Sequence, residues 1–213
     1  MSFFKALSDA FRRSPVYPVI RRRRQRSEFR RWDREGRLSP PPHLVKQKLI
    51  RRFAKAHGCS TLVETGTYQG DMLLAMRRTF RRMYSIELHP ELHRRAQNLF
   101  RDQPDVRLLQ GDSGARIGDV LRELEEPAVF WLDGHFSAGR TAKADLNTPV
   151  SAEIESILSH PVKGHVVLID DARLFNGTDD YPTVDAIRER FSSAGDYDVR
   201  IEDDVIAVTR RAA

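Results

Sequence analysis

The feature that most constrains this chain is a regular alternation of short apolar runs with helix-periodic segments, beginning near residue 61. Thr61–Glu64, Arg82–Glu87, Val106–Gln110, Ala128–Leu132, Val162–Ile169, Tyr197–Ile201 and Val205–Thr209 read as strands. Between them, Asp71–Thr79, Pro90–Arg101, Ala115–Glu125, Val150–Ser159 and Pro182–Ser192 carry apolar residues at helical spacing. Strands alternating with helices build a parallel sheet joined by right-handed crossovers. Only Glu202–Asp204 separates the last two strand candidates, too little for a helix, so they pair as an antiparallel hairpin. The expected fold is therefore α/β: a doubly wound, mostly parallel seven-stranded sheet with the last strand antiparallel. One more helix, His43–His57 with Gly58 as its C-cap, packs beside the first strand.

The first strand runs into a glycine loop and a helix in Thr61–Asp71, TLVETGTYQGD. Nucleotide-like ligands sit at such a junction, at the carboxyl end of the first strand of an open sheet. Gly66 and Gly70 let the backbone turn tightly and approach a ligand. Tyr68 stands between them, so the spacing is not that of a G-x-G-x-x-G dinucleotide fingerprint.

Acidic residues end several strands. Glu87 closes the second strand about twenty residues after the glycine loop, where a carboxylate accepts hydrogen bonds from ribose hydroxyls. Gly111, Asp112 and Ser113 follow the third strand; Asp112 or Ser113 suits either an adenine edge or the cap of the next helix. The fourth strand ends FWLDGHF and the fifth VVLIDDARLF, which puts Asp133, Asp170 and Asp171 at strand tips. If those strands are neighbours, three anions crowd one spot and raise each other's pKa values. A divalent hard cation such as Mg²⁺ removes that penalty and prefers oxygen ligands. In the competing reading only one or two of the three face the pocket and Arg173 pairs with another.

Charge is unevenly placed. The net charge is +6 and the basicity belongs largely to the leader, where Phe11–Arg37 carries Arg12, Arg13, Arg21–Arg24, Arg26, Arg30, Arg31, Arg34 and Arg37 against three acids, leaving the remainder close to neutral or slightly acidic. Ser2–Arg13 reads as an amphipathic helix that Pro15 and Pro18 stop. Residues 1–40 thus form a basic extension, an amphipathic helix plus an arginine-rich linker, ahead of a domain over 41–213 bounded by Ser39-Pro-Pro-Pro42. Residues 1–37 suit a solvated extension, an anionic membrane surface or a partner. Nucleic acid is disfavoured because only Phe29 and Trp32 interleave the arginines. A lone Cys59 fits a reducing compartment, no apolar run reaches membrane-span length, and a cytoplasmic location is expected.

Over roughly residues 43–210 the chain resembles the class I S-adenosylmethionine-dependent methyltransferases. ETGTYQGD resembles the E-x-G-x-Y-x-G-x loop of the catechol-type, metal-dependent O-methyltransferases. SIELHPEL resembles their ribose-binding strand end, and LDGH and IDD their two metal-binding strand ends. The arrangement is also similar to the macrocin-type O-methyltransferases. The resemblance implies S-adenosylmethionine as donor, held by Glu64, Gly66, Thr67, Tyr68, Gly70, Glu87, Gly111, Asp112, Ser113 and Asp133. It implies a divalent cation, Mg²⁺, on Asp133, Asp170 and Asp171, and a hydroxyl of a small molecule or glycan as acceptor. Two departures matter. Phe136 stands where the catechol enzymes carry a lysine, and Asp171 where they carry asparagine. His135 is then the candidate base beside Asp133, with Lys143 or Arg140 from the same loop as replacement or assistant. Gly134–Thr148 and Arg173–Tyr181 are long connections of the kind that wall a substrate site.

Three other readings stand beside this one: a nucleic-acid methyltransferase using the arginine leader, a nicotinamide-dependent oxidoreductase, and a non-catalytic interaction protein on the same fold. Against the first, the fourth strand lacks the Asn/Asp-Pro-Pro-Tyr/Phe motif of base N-methylation. Against the second stands the glycine spacing.

Overall fold

The computed structural model describes residues 11, 12, 14, 16–134 and 148–211. Strands β1 (Thr61–Thr65), β2 (Arg82–Glu87), β3 (Val106–Gln110), β4 (Val129–Leu132), β5 (Val166–Ile169), β6 (Tyr197–Glu202) and β7 (Val205–Arg210) form one sheet in the order β3-β2-β1-β4-β5-β7-β6. β1 to β5 pair in parallel, while β7 inserts antiparallel between β5 and β6. The chain order reverses at β1, which neighbours both β2 and β4. Ligand crevices open at such a switch point, outside the carboxyl strand ends.

Period-two alternation decides what each strand buries. Val129 and Trp131 of β4 point to one layer and Phe130 and Leu132 to the other, all nearly inaccessible. Helices α2 (His43–Ala56), α3 (Asp71–Met76) and α4 (Pro90–Phe100) cover the first face with Leu49, Ile50, Phe53, Leu73, Met76 and Phe100. The second face is covered by α5 (Ser113–Leu121), α6 (Val150–Ser159) and α7 (Val184–Ala194) through Ile117, Val120, Ile154, Ile157, Ile187 and Phe191. A sheet buried on both sides explains why β4 and β5 read as continuous apolar runs.

The leader departs from expectation. Its arginine-rich stretch is a helix, α1 (Tyr17–Arg34), not a linker. Pro18 lies in its first turn, where the missing N–H costs nothing and the fixed φ favours the helix. Nor is the leader detached. Arg12 and Arg21 pair with Asp71, the Tyr17 hydroxyl donates to Asp71 Oδ1 (3.2 Å), and Arg21 Nη2 donates to the Asp71 carbonyl (2.5 Å). Lys48 of α2 sits 4.1 Å over the Phe29 ring, and Trp32 Nε1 donates to the Leu38 carbonyl. The amphipathic helix expected over Ser2–Arg13 lies almost wholly outside the described residues. No described helix is long and apolar enough to cross a membrane.

Candidate active site

The glycine loop leaves β1 through two left-handed glycines, Gly66 (φ 82°) and Gly70 (φ 73°). Gly66 is bound to its place by sterics as well: a Cβ there would stand 2.5 Å from the Asp133 carbonyl oxygen. The turn is thereby pressed against the β4 tip. Gly70 caps α3, and a Cβ there would meet Phe100 at 2.8 Å. Tyr68 also adopts a left-handed conformation (φ 48°), with its ring exposed.

Glu87 ends β2 beside this loop. Its Oε2 accepts from the Tyr68 N–H (2.7 Å) and its Oε1 from the His89 N–H (2.9 Å). Each oxygen retains a lone pair for a further donor. Glu64 is wholly buried; Ser85 Oγ donates to it at 2.6 Å and in turn meets Thr67 Oγ1 at 2.7 Å. Burial pushes the Glu64 carboxyl up from the usual 4.5 to about 8, with the Glu87 charge adding to the rise. As pH rises from about 4.5 toward 8 the unfolded chain sheds this proton and the folded one keeps it, so stability falls across that window. Glu64→Gln, measured without ligand, is therefore expected to gain roughly 2–4 kcal/mol of unfolding free energy over the wild-type chain at pH 8 relative to pH 5. A gap independent of pH would refute the buried neutral acid.

Asp112 is the N-cap of α5, its Oδ1 accepting from the Ala115 N–H at 3.1 Å, so the capping role is realised. Ser113 lies beside it at the start of α5, and the Thr65 and Ser113 hydroxyls flank Gly134. Gly111 (φ 135°) makes the preceding turn.

The three aspartates converge as the strand register dictates. Leu132 is paired with Ile169, and the ladder continues past the strand ends: Asp133 N donates to Thr65 O and Asp170 N to Leu132 O. One carboxylate oxygen from each of Asp133, Asp170 and Asp171 lies within 4.8 Å of the others. Asp171 holds a left-handed backbone (φ 56°), its N–H donating to Asp170 Oδ1 at 2.8 Å. Arg173 donates to Asp171 at 2.8 Å and also pairs with Asp204. The trio therefore meets, and Arg173 binds one member of it.

Lys46, from α2, is the participant that sequence reasoning missed. Its Nζ lies 2.5 Å from Asp170 Oδ2 and 3.4 Å from Asp171 Oδ1. Burial alone would lower the Lys46 pKa, but Asp170 and Asp171 outweigh it and raise it. Asp133 is pushed well above the usual carboxylate range, by desolvation first and the Asp170 charge second. Desolvation brings Asp170 up to about 6 against the pull of Lys46. Lys46 precedes Ile50 and Phe53 by four and seven residues. A lysine on that inward stripe requires a carboxylate partner, and this was the available signal.

A narrow cleft beside the cluster is lined by Gly134, Thr148, Glu153, Asp170, Phe175 and Tyr181. Tyr181 is pushed up to about 12, by burial and then by the charges of Asp171 and Asp133, so the second expected loop does reach the acids. Glu153 was also missed. It is buried on α6 near Ser113 and Thr65, and burial raises it to about 7. His135, Phe136, Arg140 and Lys143 lie outside the described residues.

No family profile matches this sequence, and no curated protein does. Solved structures do share its fold. The O-methyltransferase from Bacillus cereus in complex with SAH is similar with a TM-score of 0.55 and 16% identity, over 87% of this chain and 90% of that one. The O-methyltransferase TomG from Streptomyces achromogenes, involved in tomaymycin synthesis and solved with SAM, gives 0.55 and 17% over 84% and 86%. The MycE methyltransferase of the mycinamycin pathway, solved with Mg and SAH, gives 0.54 and 13%; the match covers 76% of this chain and 48% of that longer one. The chain adopts the Rossmann-like fold of the class I methyltransferases, with the seven strands and the reversed last strand that its sequence led us to expect.

Proposed function

We propose that the chain is an S-adenosylmethionine-dependent O-methyltransferase, in which a divalent cation on Asp133, Asp170 and Asp171 assists transfer to a hydroxyl of a small molecule or glycan. The carrying observation is adjacency. The tight turn at Gly66 abuts the backbone of Asp133, so the donor loop and the carboxylate cluster share the carboxyl end of the central strands. Proteins of the same fold have been solved with SAM or SAH, and one with Mg as well.

The residues present fit the donor. Glu87 has acceptor capacity for ribose hydroxyls, the glycines of the loop admit close backbone approach, and Asp112 and Ser113 stand at the next strand end. They also fit a hard cation. Three carboxylates face Lys46 and an Arg173 already shared with Asp204, so negative charge is in excess. The donor would supply an activated methyl group, and the cation would favour the ionised form of the acceptor hydroxyl. The chain's own part is to orient and to desolvate. Asp170 is braced by Lys46 and by the Asp171 N–H, and Asp171 by Arg173, so the cluster is held in one arrangement. Phe175 and Tyr181 wall the cleft against water, which strengthens every charge interaction inside it. Alignment at short range then accounts for much of the rate. In this reading His135 takes the acceptor proton, with Lys143 as the assisting group.

The test is release of adenosylhomocysteine from S-adenosylmethionine in the presence of pooled hydroxylated small molecules and glycans, with and without EDTA. Turnover that EDTA abolishes supports the proposal, whereas binding of NAD in place of adenosylhomocysteine would overturn it. At the donor site, Glu87→Ala is expected to weaken adenosylhomocysteine binding by about 1.5–3 kcal/mol in calorimetry. Unchanged affinity would remove the ribose contact.

One observation favours a second reading in which no metal is needed. Lys46 already places a cation 2.5 Å from Asp170. EDTA-resistant turnover lost in Lys46→Met would select it.

A further inference from the structure

The solvent face of α1 carries a row of exposed arginines. Tyr17, Arg21, Gln25, Glu28, Phe29 and Trp32 form its inward stripe, each at least partly buried. On the opposite face Val19, Arg23, Arg26, Arg30 and Arg34 follow one another at helical spacing, all exposed. The two acids of the helix are engaged elsewhere: Glu28 pairs with Arg24 and Asp33 with Arg37. Among the described residues, no carboxylate pairs with Arg23, Arg26 or Arg30. Three of the exposed large apolar side chains, Val16 (53%), Val19 (54%) and Ile20 (49%), cluster at the N-terminal end of the same face.

We propose that this face docks on an anionic lipid bilayer, the arginine row lying on the headgroups and Val16, Val19 and Ile20 entering the interfacial layer. Charge complementarity alone would suit any polyanion. What favours lipid is the apolar cluster at one end of the row, because aliphatic side chains gain from an acyl boundary and offer a nucleic acid no stacking surface. All three aromatic residues of the helix are turned inward and engaged, Tyr17 with Asp71, Phe29 with Lys48, and Trp32 with Leu38 and Arg37, so they are not presented for base stacking. Rigidity supports the assignment. Arg21 and Tyr17 tie the start of the helix to Asp71, so the face is presented by the folded domain rather than by a loose tail.

The experiment is co-sedimentation of the full chain with phosphatidylcholine vesicles with and without 30% phosphatidylglycerol (about one lipid in three). Expected is at least about tenfold stronger binding to the anionic vesicles, reduced by added salt. Arg23→Glu/Arg26→Glu/Arg30→Glu should lose about a hundredfold, and Val19→Ser/Ile20→Ser about tenfold, both with unchanged melting temperature. Equal affinity for the neutral and anionic vesicles would overturn the proposal. So would binding of single-stranded RNA that persists in the Val19→Ser/Ile20→Ser chain while no vesicle is bound, since the partner would then be nucleic acid.

Discussion

Asp133→Asn is expected to lower turnover by about 10³-fold, close to 4 kcal/mol of barrier, while leaving adenosylhomocysteine affinity within about threefold. The substitution keeps the size of the side chain and removes one of the three charges that a hard cation requires. It also removes a group that the cluster holds at a cost. Desolvation and the neighbouring Asp170 both disfavour the Asp133 carboxylate, so a neutral amide relieves repulsion. In metal-free buffer the variant should therefore melt at or above the wild-type temperature, while in Mg²⁺ it should gain less stabilisation. Opposite movements of stability and activity are the signature of a functional acid. A variant that loses both would mark Asp133 as part of the scaffold. Equal loss of donor affinity would place its role with the donor rather than with a cation.

The second large effect concerns Lys46. Lys46→Met keeps the length of the buried stem but removes the ammonium group that faces Asp170 and Asp171. Breaking a buried pair from one side costs about 3 kcal/mol or more, because the remaining charge is desolvated and uncompensated. For a domain of this size that is roughly a 10 °C fall in melting temperature. Mg²⁺ should recover most of it, since the vacated charge is what a cation supplies. Lys46→Met/Asp170→Asn should recover much of it without metal, by removing the orphaned partner. Scanning calorimetry in EDTA and in Mg²⁺ reads all three outcomes. A Lys46→Met chain as stable as the wild type in EDTA would show that the ion pair contributes nothing.

The parallel sheet was legible because burial on both faces leaves a plain record: VFWL and VVLI are apolar throughout, and both are core strands. The aspartates were legible for the same reason, since each abuts such a run and strand adjacency then brings them together. Lys46 and Glu153 escape a count of helical apolar stripes because each is a polar residue within such a stripe. The arginine helix was missed on a rule applied without position. Pro18 ends a helix when interior but begins one from the first turn, and Pro18 is in the first turn. The pairing of the leader with Asp71 could not be read at all, because it joins residues about fifty positions apart through long side chains.

The account rests on a cation shared by strand-tip carboxylates beside a bound donor. The most direct measurement is an anomalous difference map from crystals grown with Mn²⁺ and adenosylhomocysteine. The account predicts a peak within roughly 2.0–2.6 Å of oxygens from Asp133, Asp170 and Asp171, with adenosylhomocysteine lying along the Gly66–Gly70 turn. Adenosylhomocysteine in place with no peak at the trio, and Lys46 still closed on Asp170, would contradict it.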